Sequence, residues 1–443
     1  MKNGFKTIDE IKHYCENEKV NIGFSENNSV YGKSHYINGN RVSNSLAVLP
    51  MEGCDAIPDG SPSELTLKRY LKFGLGGAGI IWCEAAAVVK EGRASGRQLY
   101  INKANVDAFK SLVDEVKEKA IKQNGYAPVM ILQLTHSGRY SKPEGKPTPI
   151  IAAHNPVVDT KYNICPDKEL ISDDELSELE DRFVQAAMLA QAAGFDGVDI
   201  KASHGYLLGE LLGAHTREGK YGGDYEGRTR FIKNAVQKIK QSVHNNMIVA
   251  SRLSIYDAMD YPYGFGADKL TAGKPDITEP VMLLNDLFQL GVRLCAVTMG
   301  NPYYNPHINR PFSMGPYTPP ELPVKGVERL ISLAASVKES VPGILFIGAG
   351  YSWLKQFAVH AGAYTLEHHH ADIIGFGRMA FANPNFANDI LHNGCLEAKQ
   401  TCITCTKCVE LMRDMVTTGC VIRDRFYAEL YQQHMNNKSQ GGN

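Results

Sequence analysis

Eight short apolar runs, at residues 42–49, 79–89, 128–134, 197–203, 247–254, 294–299, 344–349 and 372–375, recur through the chain at a spacing few folds can satisfy. Most are separated by stretches of helical periodicity, among them 106–123, 173–193 and 326–338. A strand buried on both faces needs a continuous apolar run, and an amphipathic helix between two such runs is the crossover that lets them lie parallel. Eight units of this kind predict an α/β fold, a (β/α)8 TIM barrel, with a doubly wound open sheet as the alternative. Glu52, Glu84, Gln133, Lys201, Arg252, Gly348 and Arg378 stand at or just after the runs, and a barrel gathers them on one rim. The chain then divides into a polar surface segment at 1–40 with one helix near 8–18, a barrel at 41–392 and a C-terminal extension at 393–443.

The glycines at 74–79 fit the spacing of a dinucleotide-binding turn, but in the wrong order. A helix at 64–73 precedes them and a strand follows, whereas that fingerprint must leave a strand and open a helix. Charge narrows the partners. With 47 Lys and Arg against 48 Asp and Glu, the net charge of −1 implies no polyanionic partner, so neither nucleic acid nor an anionic membrane is expected. No apolar leader opens the sequence and no apolar run approaches a membrane span, which predicts a cytoplasmic protein. In that compartment its ten cysteines are thiols or metal ligands rather than disulfides.

The fourth run carries the densest chemistry. Lys201, His204 and Tyr206 follow within six positions, a cation, an imidazole and a phenol, which together can hold an anionic oxygen and deliver a proton. Gly348 and Gly350 after the seventh run, and Gly377 with Arg378 after the eighth, form two turns whose backbone can approach a phosphate, at the place where barrels recurrently bind one. Further on, Cys402, Cys405 and Cys408 are followed after eleven residues by Cys420. Four thiols at this spacing are candidates for zinc or an iron–sulfur cluster, and the C-x2-C-x2-C run favours a [4Fe–4S] centre.

The Lys201-x-x-His204-Gly-Tyr206-Leu stretch, with Tyr221-Gly-Gly and Arg228-Thr-Arg-Phe231 behind it, resembles the fourth-strand signature of the old yellow enzyme family of FMN-dependent oxidoreductases. The resemblance runs over about residues 40 to 390, with Lys201 standing where the family usually has histidine. It implies that Pro50 and Met51 border a flavin ring, Gln133 bonds its pyrimidine edge and Arg252 lies beside N1 and O2; Glu84, placed just after the second run, is expected in the same cofactor site. Glu52 occupies a position that is usually small or hydroxylic; a carboxylate there either points away or lowers the flavin potential. The four cysteines resemble those of the iron–sulfur branch that includes 2,4-dienoyl-CoA reductase, whose spacing is one residue longer between the second and third.

The implied activity is an ene-reductase acting on a small unsaturated molecule: an enone, enoate or enoyl thioester receives hydride from the flavin and a proton from Tyr206. The alternatives are oxidation of a small amine and an electron carrier without its own substrate. Tyr304 and His307, in the loop after the sixth run, are expected to shape the substrate pocket. Electrons are expected from a donor protein or subunit through the cluster, or from NAD(P)H at the flavin; a homo-oligomer is compatible with all of this.

Overall fold

In the computed structural model, which describes residues 4–440, eight parallel strands close into a barrel. They are β1 (Leu46–Val48), β2 (Ile80–Ala87), β3 (Val129–Thr135), β4 (Gly197–Ile200), β5 (Ile248–Tyr256), β6 (Leu294–Met299), β7 (Leu345–Gly348) and β8 (Ile373–Phe376). Each pairs in parallel with the next, and β8 returns to β1 through Ile374 opposite Leu46 and Phe376 opposite Val48. The expected TIM barrel is therefore the observed one. The predicted helices also form, at Ile8–Asn17, Val106–Asn124, Asp173–Ala192 and Pro323–Ser340. Ser63 and Ser172 each close a capping box that satisfies orphan donors at the first turn of their helices. The glycines at 76–79 end the helix Glu64–Leu75 and admit β2, as their order required.

Alternation along the strands makes two cores. Leu46, Val48, Ile81, Cys83 and Val198 face outward into the helical layer, whereas Ala47, Leu49, Ile80, Trp82, Ile131, Ala250 and Ile347 fill the barrel interior. The run at 42–49 is not one strand. Val42 ends a hairpin, His35–Ile37 with Asn40–Val42, and the barrel strand starts only at Leu46. Ile37 and Val42 pack into the interior cluster, while Asn38 and Asn40 donate to the carbonyls of Met247 and Asn246. The hairpin thus stoppers the N-terminal mouth of the barrel. Among the described residues no helix is long and apolar enough to cross a membrane.

One candidate leaves the rim for a structural reason. Cys83 pairs with Leu132 and Ala85 with Gln133, so Glu84 is the extra residue of a β-bulge. Its side chain turns outward to Arg69, which also holds Asp55, and it accepts from the Gly53 N–H. Ala85 takes the inward position. Burial lifts the Glu84 carboxyl above its ordinary range, against the pull of Arg69 and with Asp55 adding to the lift. Arg69→Met would leave two buried carboxylates without their cation, a change expected to cost about 3–5 kcal/mol in chemical denaturation. A loss below about 1 kcal/mol would mean that the triad is not what ties β2 to the helix Glu64–Leu75.

Candidate active site

A cavity of about 480 Å3 opens at the C-terminal ends of the strands. It is lined by Pro50, Met51, Gln133, Lys201, His204, Tyr206, Arg252, Gly350, Gly377 and Arg378, so ten of the expected residues converge from six strand ends. Four do not. Glu84 is turned away by its bulge. Gly348 packs beneath Tyr351, and its neighbour Ala349 lines the cavity instead. Tyr304 is 37% exposed on the outer side of its loop, and His307 bonds the Tyr317 hydroxyl at 2.7 Å, outside the cavity. The loop after β6 turns Tyr303 inward rather than Tyr304.

Strand alternation places the inward residues. Asp199 on β4 points into the barrel and accepts from Trp82 Nε1 at 2.8 Å, Gln133 Nε2 at 2.6 Å and the Arg252 backbone N–H at 2.6 Å. Burial pushes its carboxyl up to about 6, against these three bonds. Two residues on, Lys201 faces the cavity mouth. It forms no ion pair with Asp199 or Glu52 among the described residues; its Nζ lies 3.7 Å from the centroid of the Tyr206 ring. Burial lowers Lys201 to about 8, with Glu52 opposing and Arg252 adding to the fall.

After β4 the chain turns sharply. His204 and Gly205 both take positive φ, 65° and 68°, and a Cβ on Gly205 would lie 2.3 Å from Asn301 Nδ2. The turn leaves His204 half-buried with its Nε2 sealed from solvent, and burial and the surrounding cations hold the imidazole well below its usual range, so it is neutral. Tyr206 precedes the helix Leu207–Leu212 and is buried with its hydroxyl toward Glu52 Oε1 at 3.1 Å and Tyr303 Oη at 3.0 Å. Arg228 lies elsewhere: it bonds the Leu212 carbonyl and Glu279 and braces the loop.

Several groups at the cavity carry no obvious sequence signal. Tyr303 stacks on Tyr140 with centroids 3.7 Å apart and planes 9° from parallel, and the Arg413 guanidinium sits 3.5 Å over its other face. Arg413 comes from the C-terminal extension, whose Val409, Met412 and Met415 also line the cavity. The extension is anchored by Thr418 N–H to the Gly53 carbonyl and Arg97 to Thr417. Seven Lys and Arg side chains line the cavity against one carboxylate, Glu52. Arg252 Nε, Arg310 Nε, Arg378 Nη1 and His204 Nε2 are buried without a hydrogen-bond partner. All four face the cavity, and an anionic, acceptor-rich group of flavin mononucleotide type fits this donor set.

The four cysteines Cys402, Cys405, Cys408 and Cys420 line a second cavity, of about 20 Å3, together with Arg378. Positive φ at Thr404 and Thr406 folds the chain around Cys405, and the Thr404 N–H donates to Cys402 Sγ. Burial and the neighbouring thiols raise Cys408 to about 12. Among the described residues no group of three or more His, Cys, Asp or Glu is arranged as a metal-holding site.

The position of Lys201 has a measurable cost. An unfolded chain protonates this lysine below pH 10.5 and the folded chain only below about 8, so stability rises with pH across that window and is lowest beneath it. Lys201→Met is expected to stabilise the protein at neutral pH by about 3 kcal/mol and to flatten that rise. Denaturant titrations at several pH values test this; a destabilised variant would make Lys201 a brace rather than a site group.

Comparison with known proteins agrees with this arrangement. The family model described as NADH:flavin oxidoreductase / NADH oxidase matches residues 37–270. The NADPH dehydrogenase of Bacillus subtilis (strain 168) is 31% identical over 201 residues, 45% of this chain and 56% of that protein, so the match spans little more than half the relative's length. The 12-oxophytodienoate reductase 7 of Oryza sativa subsp. japonica is 26% identical over 360 residues, 78% of this chain and 83% of its own. The solved structure of 2-naphthoyl-CoA reductase with 2-naphthoyl-CoA superposes with a TM-score of 0.72 at 18% identity, covering 91% of this chain and 58% of that one, a likeness of fold. With the family model matched over more than half of the 443 residues, the chain belongs to the NADH:flavin oxidoreductase / NADH oxidase family.

Proposed function

We propose that the chain reduces an activated carbon–carbon double bond, in an enone, enoate or enoyl thioester, with FMN bound in the barrel cavity. One observation carries this reading: Lys201, His204 and Tyr206 face the same cavity as Gln133, Arg252 and Arg378. Pro50 and Met51 would border the ring, Gln133 and Arg252 its pyrimidine side, and Gly350, Gly377 and Arg378 the phosphate. Bound FMN supplies the hydride for the β-carbon of the substrate. Lys201, a cation below about pH 8, and neutral His204 hold the substrate oxygen on which negative charge develops. Tyr206 gives its phenolic proton to the α-carbon. The cation-rich lining supports a neutral polarised or anionic substrate over an amine. Family membership supports NADH or NADPH as the reductant.

The cysteine cavity extends this reading. The all-sulfur donor set suits a [4Fe–4S] cluster on Cys402, Cys405, Cys408 and Cys420, whose chemistry when bound is one-electron transfer from a donor protein or subunit.

Purified protein is expected to be yellow, or to become so with added FMN. Arg378→Ala should weaken FMN retention far more than riboflavin retention, because its partner is the phosphate; equal losses in fluorescence titrations would reject that role. Anaerobic preparations should contain close to four irons and four sulfides per chain. Cys405→Ser should lose that iron and block reduction by a protein donor while dithionite still reduces the flavin; stoichiometric zinc without iron would overturn the cluster.

A further inference from the structure

We infer that Glu52 is the proton source that reloads Tyr206, so that the pair works as a two-step relay into the cavity. This rests on the reading of Tyr206 as the acid that protonates substrate. Glu52 follows the Pro50-Met51 pair at the end of β1, and its carboxyl meets the Tyr206 hydroxyl at 3.1 Å rather than pointing into the flavin region alone. Gln98 Nε2 donates to the same oxygen at 3.2 Å and fixes the carboxyl from behind. Among the described residues Glu52 is the only carboxylate on the cavity wall, and it forms no ion pair.

A buried phenol that gives up its proton becomes a phenolate beside the rings of Tyr140 and Tyr303, a state that burial strongly disfavours even with Arg413 pulling the other way. A proton must therefore follow at once. The Tyr303 phenol, at 3.0 Å, is another buried phenol that burial raises, whereas a carboxylic acid loses its proton to a phenolate spontaneously. Burial raises the Glu52 carboxyl and keeps it protonated further up the pH scale. The groups facing it are Lys201 and Arg413, which oppose that rise with their charges, the hydrogen-bonding Tyr206 and Gln98, and the neighbouring Cys54 and Tyr303. When Glu52 is ionised the phenol O–H donates to it and is withheld from substrate. When Glu52 is protonated the carboxylic O–H donates to the phenolic oxygen and frees the phenol O–H for the α-carbon.

The step balances without a redox change at either residue. The phenolic proton forms the α-C–H bond as the enolate electron pair is consumed, the phenolate takes the Glu52 proton, and the carboxylate is reprotonated from the acid form of the buffer in bulk solvent. Both electrons come from the hydride delivered to the β-carbon.

The test uses pre-reduced holoenzyme mixed with 2-cyclohexenone, comparing wild type with Tyr206→Phe, Glu52→Gln and the double variant. Glu52→Gln is expected to slow the proton-dependent step about 10²-fold, with the double variant no slower than Tyr206→Phe. The wild-type rate should fall as pH rises through the Glu52 titration, and that limb should vanish in Glu52→Gln while the limb near 8 from Lys201 remains. Glu52→Asp keeps the acid but withdraws it, so it should retain the limb at reduced rate. Independently of turnover, the tyrosinate absorbance assigned by difference to Tyr206 should titrate at lower pH in Glu52→Gln, which removes a facing negative charge. If Glu52→Gln and Glu52→Asp keep the wild-type rate and pH profile while Tyr206→Phe is slow, the relay is wrong and the role of Tyr206 stands. If Tyr206→Phe is also unimpaired, or wild type does not reduce the enone, the reading beneath the relay fails with it.

Discussion

The site depends on one carboxylate sealed inside the barrel. Asp199 gathers donors from three other strands, the Trp82 indole on β2, the Gln133 amide on β3 and the Arg252 backbone on β5. Three hydrogen bonds would ordinarily lower a carboxyl, yet burial wins and leaves it near 6, so holding the charge there costs about 3 kcal/mol. That cost is compensated by order. With Nε2 committed to Asp199, the Gln133 amide cannot flip, and Arg252 is pinned next to a fixed negative charge that keeps its guanidinium in the cavity. On the reading proposed above, the groups that would meet a planar ring are thereby oriented by the scaffold before anything binds.

Above this layer the electrostatics are one-sided. Lys201 and His204 are both displaced toward neutrality, the first by burial with Arg252 and the second by burial with Arg252, Lys201, Arg310 and Arg413. A neutral imidazole beside a lysine that titrates near neutral pH gives two donors whose combined charge is set by pH rather than fixed. Glu52 is the one counterweight among the residues lining the cavity, and its carboxyl lies against the Tyr206 hydroxyl.

Much of this was legible in the chain. The eight runs specify the barrel because only a parallel strand buried on both faces tolerates so little polarity, and the inward positions of Gln133, Lys201 and Arg252 follow from period-two alternation. Alternation also explains the errors. It holds until a bulge intervenes, and at Glu84 one extra residue exchanges the inward side chain for Ala85, a register event with no local signature. The tyrosines at 303 and 304 are equivalent in sequence; the stack on Tyr140, from a loop more than 150 residues away, decides which one turns in. The hairpin at 35–42 resembles the first barrel run in composition, because a barrel stopper and a barrel strand both have to bury Ile and Val. The role of Arg413 lay beyond reach, since it depends on where the extension docks.

Arg378 joins the two halves of the molecule. It lines the barrel cavity and the cysteine cavity alike, donates Nη2 to the Pro311 carbonyl, and leaves Nη1 buried without a partner. Arg310 is lowered to about 9 by burial and by the charges of Arg413 and Arg378, while Cys408 pulls it back up. Three guanidinium groups with a single carboxylate, Glu52, facing one of them repel one another in a medium that screens poorly, and bound anions would offset that repulsion. On the reading proposed above, the flavin phosphate stands on one side and the cysteine thiolates on the other. Arg378 then faces both, so filling either cavity lowers the positive potential felt in the other. By charge alone, cofactor and cluster would therefore draw on the same guanidinium groups in competition, and any mutual support has to come from Arg378 being held in place between them.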